Sequence, residues 1–62
     1  MFVRVTVVPN EFEGNLVCAL LRAEGIDCFS RETGLGGPHE VVVVHDDDLP
    51  KARELLEASR RR

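Results

Sequence analysis

The chain begins with an alternation of apolar and polar residues that is typical of a half-buried strand. In residues 2–8, valines at odd positions alternate with Arg4 and Thr6, and successive side chains of a strand point to opposite faces. Pro9 ends the pattern because it has no N–H to donate. We predict that three of these side chains face the core (Val3, Val5, Val7) and that the others lie on the outer face (Phe2, Arg4, Thr6, Val8).

The next segment has the pattern of a helix that runs from Asn10 to about Glu24. Asn10 and Glu13 form a capping-box-like pair, and Gly25 is typical of the position just after a helix. At 100° per residue, one arc of the helix collects apolar side chains. We predict that this arc faces the core (Phe12, Leu16, Ala19, Leu20, Ala23), that the opposite side is polar (Glu11, Asn15, Cys18, Arg22), and that two residues fall outside the main arc (Val17, Leu21).

Two further strands and a second helix follow. Residues 26–32 and 39–45 suit strands, and a glycine-rich connection of hairpin-loop size joins them. In the first of the two, Ile26 and Cys28 are predicted to face inward. Residues 46–48 then offer carboxylates to the start of a helix, Pro50 fits its first turn, and a narrow apolar stripe marks its inner side (Leu49, Ala52, Leu55, Leu56).

The order of elements, β-α-β-β-α, predicts an α+β fold of the ferredoxin-like, split β-α-β kind. The third strand lies in the centre of a three-stranded antiparallel sheet in the order 1-3-2, and both helices cover one face. We expect a single domain over residues 1–62 with a frayed tail at 60–62. A complete ferredoxin-like domain adds a fourth strand beside strand 1. The pattern of this sequence predicts only three strands, so strand 1 is predicted to be an unpaired edge.

Size and charge narrow the functional classes. A chain of 62 residues has too thin a core for a deep catalytic pocket, so we expect no enzyme activity and no cofactor. The longest apolar run has four residues, 41–44, which is too short to span a membrane. No signal-peptide pattern precedes Phe2, and together these features favour a soluble, cytoplasmic protein. The net charge of −3 argues against nucleic acid, and the arginines at 60–62 suit the C-terminal end of a helix.

Several stretches of the sequence together resemble a known family. They are residues 10–26 with Leu20-Leu21, Ala23-Glu24 and Gly25-Ile26, then Glu32 to Gly37, the valine strand, and acidic residues before Ala52 and Leu55-Leu56. This pattern resembles short bacterial proteins named putative prokaryotic signal-transducing proteins, a domain of unknown function. The resemblance implies a ferredoxin-like fold distantly similar to PII nitrogen-regulatory proteins, and no established catalytic activity. It carries no effector site to a particular residue here.

Three groups of residues carry candidate chemistry, each with a plainer interpretation. The glycine-rich loop (Gly34, Leu35, Gly36, Gly37) is either a flexible hairpin connection or a recognition loop; it leads into a strand and not into a helix, unlike phosphate loops. His39 and His45 stand about 20 Å apart on a strand and cannot share a metal ion. The aspartates at 46–48 suit helix capping better than a cation site. No metal site is expected.

The two cysteines carry further candidate chemistry. Cys18 is predicted to lie on the polar side of the helix with Arg22 one turn away, which favours a surface thiol over a nucleophile because no histidine is placed to activate it. Cys28 is predicted to point into the core. The two cysteines form no CxxC pair, and the single bridge they could make is less than the dense framework of small secreted domains, which favours a reducing compartment.

The sheet face that the helices leave uncovered is the strongest candidate for a binding site. We predict a partner-binding patch there with an apolar centre and a basic rim (Phe2, Arg4, Thr6, Phe29, Arg31), which either binds a partner or reflects a small domain that cannot cover its own apolar surface. The leading hypothesis is a non-enzymatic regulatory module that binds a protein partner or a second copy through this face and the strand 1 edge. The alternative is a small-molecule or anion sensor that uses the glycine-rich loop.

Overall fold

The computed structural model describes residues 1–34 and 36–61. Within these residues the chain forms three strands and two α-helices in the predicted order β-α-β-β-α. The elements are β1 (Val3–Val8), α1 (Glu11–Ala23), β2 (Cys28–Glu32), β3 (His39–Val43), a 3₁₀ turn (Asp46–Asp48) and α2 (Leu49–Arg60).

The three strands form one antiparallel sheet in the order β1-β3-β2, which confirms the predicted topology. Glu32 pairs with His39 across the hairpin loop, and this closing pair sets the register of β2 against β3. The central position of β3 explains its valine run, because Val41, Val42 and Val43 are all buried. Val41 and Val43 belong to the core cluster, whereas Val42 lies on the opposite face between Arg4 and Phe29.

An irregularity in β1 changes which side chains face the core. Arg4 pairs with Val42 and Thr6 pairs with Val41, so Val5 is an extra residue in the ladder. Such a bulge interrupts the two-residue alternation of a strand. Because directly paired residues share a face of the sheet, Thr6 lies on the same side as Val41, which belongs to the core.

The prediction for the second half of β1 was therefore wrong. Val7 pairs with Glu40 and lies on the outer face, where it is 46% exposed, whereas Val8 pairs with His39 on the helix side. Val3 precedes the bulge and packs on the core as predicted, as does Val5. One inserted residue is enough to exchange the two faces for every residue that follows it.

The orientation of α1 also differs from the prediction. Its buried residues are Gly14, Cys18 and Leu21, and Val17 packs partly against the same core. Cys18 is only 2% exposed, so the interpretation of its thiol as a surface group was wrong. The arc predicted to face the core is exposed along its whole length (Phe12, Leu16, Ala19, Leu20, Ala23).

Close contact between α1 and the sheet accounts for this orientation. A Cβ atom at Gly14 would overlap the Ser30 hydroxyl and would lie 3.6 Å from the Cβ of His39. Glycine therefore lets the helix backbone approach β2 and β3 more closely than any other residue would. Cys18 and Leu21 lie on the same buried side as Gly14 and fill the core beside this contact.

Both ends of α1 form as predicted. The Glu13 N–H donates to Asn10 Oδ1 at 2.9 Å, which satisfies one of the unpaired amides of the first turn. At the other end Gly25 has φ 81°, and the N–H of Ile26 donates to the Leu21 carbonyl at 3.1 Å. This is a Schellman motif, and its glycine adopts a backbone conformation that other residues disfavour.

The start of α2 departs from the prediction in its details. Residues 46–48 form a 3₁₀ turn, and the Asp48 side chain makes no capping hydrogen bond. Pro50 lies in the first helical turn, where its missing N–H is not needed. In the predicted frayed tail, Arg60 is the last residue of α2 and Arg61 follows as its C-cap; Arg62 lies outside the described residues.

The helices and the sheet form two layers with the core between them. Residues of both helices (Leu21, Ala52) and of β3 (Val41, Val43) belong to one buried cluster, so both helices cover the same face, as predicted. Neither helix in the described part of the chain is long and apolar enough to cross a membrane. The opposite face of the sheet carries neither of these helices.

Candidate functional site: the open sheet face

The uncovered side of the sheet carries two rows of side chains, and we call it the open sheet face. Strand pairing places the members of each row side by side, because paired residues share a face. The first row is Arg4, Val42 and Phe29, and the second is Val7, Glu40 and Arg31. Phe2, just before β1, joins the first row through its contact with Phe29.

Two aromatic rings dominate the first row. The Phe2 and Phe29 rings meet edge to face, with centroids 5.3 Å apart and an interplanar angle of 78°. Val42 is only 1% exposed although it belongs to the uncovered face. Phe2 in contrast is 58% exposed. The two rings therefore form an aromatic cluster beside the buried Val42, and the Phe2 ring of this cluster is exposed to solvent.

The two arginines beside this aromatic cluster differ in whether they form an ion pair. The Arg31 guanidinium donates through Nε to Glu40 Oε2 at 2.7 Å, and its Cζ lies 5.6 Å from the centre of the Phe29 ring. Arg4 lies within 4.0 Å of no carboxylate in residues 1–34 and 36–61. The open sheet face therefore offers one cation without an ion-pair partner among these residues, although the chain as a whole has a net charge of −3.

The structure brings together most of the residues predicted for this patch. Phe2, Arg4, Phe29 and Arg31 lie on the open sheet face, but Thr6 does not, because the bulge at Val5 turns it to the helix side. There Thr6 lines a shallow groove together with residues of α2 (Arg53, Leu56, Glu57, Arg60).

The sequence interpretation missed Val7 and Glu40 as members of the face. A signal for Glu40 was present, because a closing pair of Glu32 and His39 places residue 31 opposite residue 40. No comparable signal marks Val7, since the bulge that turns it outward has no distinctive residue in β1.

The edge formed by β1 is less regular than predicted. A bulge disrupts the row of N–H and C=O groups that a further strand would pair with, and natural edge strands use bulges to limit such pairing. The extra residue, Val5, lies in the middle of β1. Of the two surfaces predicted to bind a partner, the open sheet face is the better formed.

The glycine-rich loop is closed by its own hydrogen bonds. The N–H and the hydroxyl of Thr33 both donate to the Pro38 carbonyl, at 3.0 and 2.9 Å. The Gly36 N–H donates to Glu32 Oε2 at 3.1 Å, and the Gly37 N–H donates to the Gly34 carbonyl at 3.3 Å. These two amides are thus engaged within the loop. Leu35, named above as part of the recognition loop, lies outside the described residues.

The two cysteines are buried and reduced. The Cys28 thiol donates to the Cys18 carbonyl at 3.5 Å, which confirms that Cys28 points inward. Burial raises the pKa of the Cys18 thiol from 9.0 to about 12, and the neighbouring Cys28 adds to this effect while Arg22 opposes it. A thiol with this pKa is almost entirely protonated near pH 7 and is a poor nucleophile.

The histidines are separated, as their spacing predicts. His39 Nδ1 lies 3.5 Å from the Ser30 hydroxyl, whereas His45 Nε2 lies 3.3 Å from Asp27 Oδ2 in an exposed pair. In the part of the chain that the structure describes, no three side chains among His, Cys, Asp and Glu gather as metal ligands do.

A three-stranded antiparallel sheet in the order 1-3-2, with two helices on one face, defines a small α+β protein of the split β-α-β type. Residues 2–60 match the model of the family described as putative prokaryotic signal transducing protein, and the chain belongs to this family. No curated protein matches the chain significantly, and no solved structure does.

Proposed function

We propose that the protein is a non-enzymatic signalling module that binds a protein partner through the open sheet face. The observation that carries this proposal is the aromatic cluster of Phe2 and Phe29 beside Arg4, a cation with no ion-pair partner among residues 1–34 and 36–61. Exposed apolar patches rimmed by polar groups mark interaction sites more often than scattered apolar residues do. The family description names signal transduction, a role that modules of this kind perform by binding a partner.

The chemistry of the face indicates what the partner presents. Aromatic side chains and arginine are enriched at the centres of protein interfaces. Arg31 already has Glu40 as a partner at 2.7 Å, so Arg4 is the cation that can pair with an incoming carboxylate. The partner is therefore a surface with an apolar side chain next to an aspartate or glutamate.

The alternative function, an anion or small-molecule sensor in the glycine-rich loop, has less support. An anion would need the loop amides, and the Glu32 carboxylate and the Gly34 carbonyl already accept from two of them. An enzyme that uses Cys18 has less support still, because its thiol is buried and its pKa is raised. The cytoplasmic location remains a prediction from the sequence.

Recovery of partners from a cell lysate tests the proposal. Immobilised wild type is compared with Arg4→Glu and Phe2→Ser, which change the open sheet face, and with Lys51→Glu, which makes an exposed charge reversal on α2. We expect the first two variants to recover at least about tenfold less of each protein that wild type recovers. Lys51→Glu should recover the same amounts as wild type. Equal recovery with all four proteins would exclude this face as the binding surface.

A direct measurement then separates the face from the loop. Isotope-labelled protein is titrated with the recovered partner, and the amide chemical shifts are followed. Shifts centred on Phe29, Arg31 and Val42 support the proposal. Shifts confined to residues 33–38 would contradict it and favour the loop as the recognition site.

A further inference from the structure

The solvent side of α1 carries an apolar stripe that the described residues leave exposed. We call it the α1 stripe and define it by five exposed residues (Phe12, Leu16, Ala19, Leu20, Ala23). Phe12 is 69% exposed, Leu16 is 51% exposed and Leu20 is 37% exposed. The stripe lies on the helix layer and the open sheet face lies on the other side of the sheet, so this surface is separate from the proposed binding site.

The spacing of the stripe is that of a helix-pairing seam. Phe12, Leu16, Ala19 and Ala23 follow one another at intervals of four, three and four residues, which is the a/d pattern of a coiled coil. Leu20 lies beside this seam and continues it into a groove with Leu55 of α2. A surface with this spacing fits a second helix better than it fits a strand or a flat surface.

The sizes of the side chains identify which helix fits. In an antiparallel pair, each a position packs against a d position of the other helix. Two α1 helices paired in this way place Phe12 against Ala23 of the second copy, and Leu16 against Ala19. Each layer then combines one large side chain with one alanine, which fills space evenly. Parallel pairing would stack Phe12 on Phe12 and Ala23 on Ala23, which overpacks one end and leaves a gap at the other.

We propose that a second copy of this chain covers the α1 stripe and forms an antiparallel, two-fold symmetric dimer through α1. Such an interface is self-complementary, as a two-fold axis requires. The two open sheet faces then point away from each other, so the dimer presents its partner-binding surface twice.

The residues that flank the seam are compatible with this arrangement. Across the antiparallel pair, Arg22 faces Asn15 of the second copy, and Glu13 faces Leu20, so no like charges are directly opposed. The Arg22 side chain donates through Nη2 to the Cys28 carbonyl at 2.7 Å. A guanidinium has five N–H donors, which leaves donors for the Asn15 side-chain oxygen of the second copy.

The dimer is expected to be weak. The seam spans two heptads, and its contact area is smaller than the about 1,200 Å² at which standard interfaces begin. The helices, however, are already folded on their own sheets, so association does not have to order them. We therefore expect an equilibrium between monomer and dimer that shifts with concentration in the micromolar to millimolar range.

Exchange of side-chain size across the seam tests the pairing directly. Sedimentation equilibrium is measured for wild type, Phe12→Ala, Ala23→Phe and the double variant. Phe12→Ala leaves two alanines opposite each other, and Ala23→Phe opposes two phenylalanines, so each should weaken the dimer at least about fivefold. The double variant restores one large and one small residue per layer and should return to within about threefold of wild type.

The outcomes that overturn the proposal are specific. If Ala23→Phe alone strengthens association, the contact is nonspecific or parallel, because added apolar area would then help. Absence of any concentration dependence up to about 1 mM also overturns it. All variants are first compared by circular dichroism, and Phe12 and Ala23 are exposed, so the fold should be retained.

Two further measurements keep the dimer distinct from the open sheet face. In a sample that mixes labelled and unlabelled wild type, isotope-filtered spectra should show contacts between the Phe12 ring of one copy and the Ala23 methyl group of the other. Arg4→Glu, which should abolish partner recovery, should leave the association constant unchanged. If Arg4→Glu abolishes self-association and the α1 variants do not, the copies meet through the sheet and the α1 dimer is wrong.

Discussion

Gly14 of α1 and Ser30 of β2 lie so close that a Cβ atom on Gly14 would overlap the Ser30 hydroxyl and would lie 3.1 Å from the Ser30 Cβ. Glycine in the interior of a helix lowers helix stability by about 1 kcal/mol relative to alanine. The chain nevertheless has glycine at this buried position, because the close approach of α1 to the sheet requires it.

Gly14→Ala should therefore destabilise the protein although alanine is the better helix former. Overpacking costs about 1–3 kcal/mol, which exceeds the gain in helix propensity. Chemical denaturation measures the free energy of unfolding. Gly34→Ala is the control, because a Cβ atom there meets no described residue within 4 Å. A stabilised Gly14→Ala variant would show that the helix can move away from Ser30.

The N-cap of α1 gives a second prediction. Asn10→Ala removes the acceptor of the 2.9 Å hydrogen bond from the Glu13 N–H, and we expect a loss of about 1 kcal/mol in the free energy of unfolding. Asn15→Ala serves as the control, since Asn15 is exposed in the interior of the same helix. An equal loss in both variants would mean that the cap contributes nothing specific.

The raised pKa of the Cys18 thiol predicts how the stability of the protein changes at alkaline pH. Its pKa is about 12 in the folded protein against an ordinary value of 9.0, so between these pH values the unfolded state loses its proton first. Stability is therefore unaffected by this group below about pH 9 and falls as the pH rises from there toward about 12. The chain has no tyrosine, so few other groups titrate in this window.

Denaturation at a series of pH values tests this dependence, with Cys18→Ala as the comparison. The variant should be less stable at neutral pH, because it removes a buried sulfur, but its stability should decline less steeply above pH 9. Iodoacetamide should also label Cys18 in the folded wild type much more slowly than in denaturant. Equal labelling rates in the two states would show that the thiol is accessible.

The ion pair of Arg31 and Glu40 gives a prediction for the open sheet face. The two side chains are 52% and 17% exposed, and pairs near the surface contribute about 0.2–1 kcal/mol. A double-mutant cycle with Arg31→Gln and Glu40→Gln should give a coupling free energy in this range that falls as salt is added. A coupling that does not respond to salt would indicate that the effect comes from packing on Phe29 and not from charge.

Local patterns along the chain determined the elements and their order. Alternation identified β1, the valine run identified the central strand, and Asn10 and Gly25 marked the ends of α1. These features depend on neighbours in sequence, so the sequence alone contains them. The length of the hairpin loop also set the partners of β2 and β3, and it brought Phe29 and Arg31 to the same face as Glu40 and Val42.

Two features depend on the tertiary structure: which face of the sheet each residue of β1 occupies, and which side of α1 meets the sheet. The bulge at Val5 exchanged the faces of Thr6 and Val7, because one extra residue in β1 reverses the alternation of every residue after it. The helix α1 turned its more apolar arc to solvent, because contact with the sheet depends on shape as well as on hydrophobicity. Gly14 lets α1 meet β2 and β3 closely, Cys18 and Leu21 pack on the core beside it, and this orientation leaves the α1 stripe exposed.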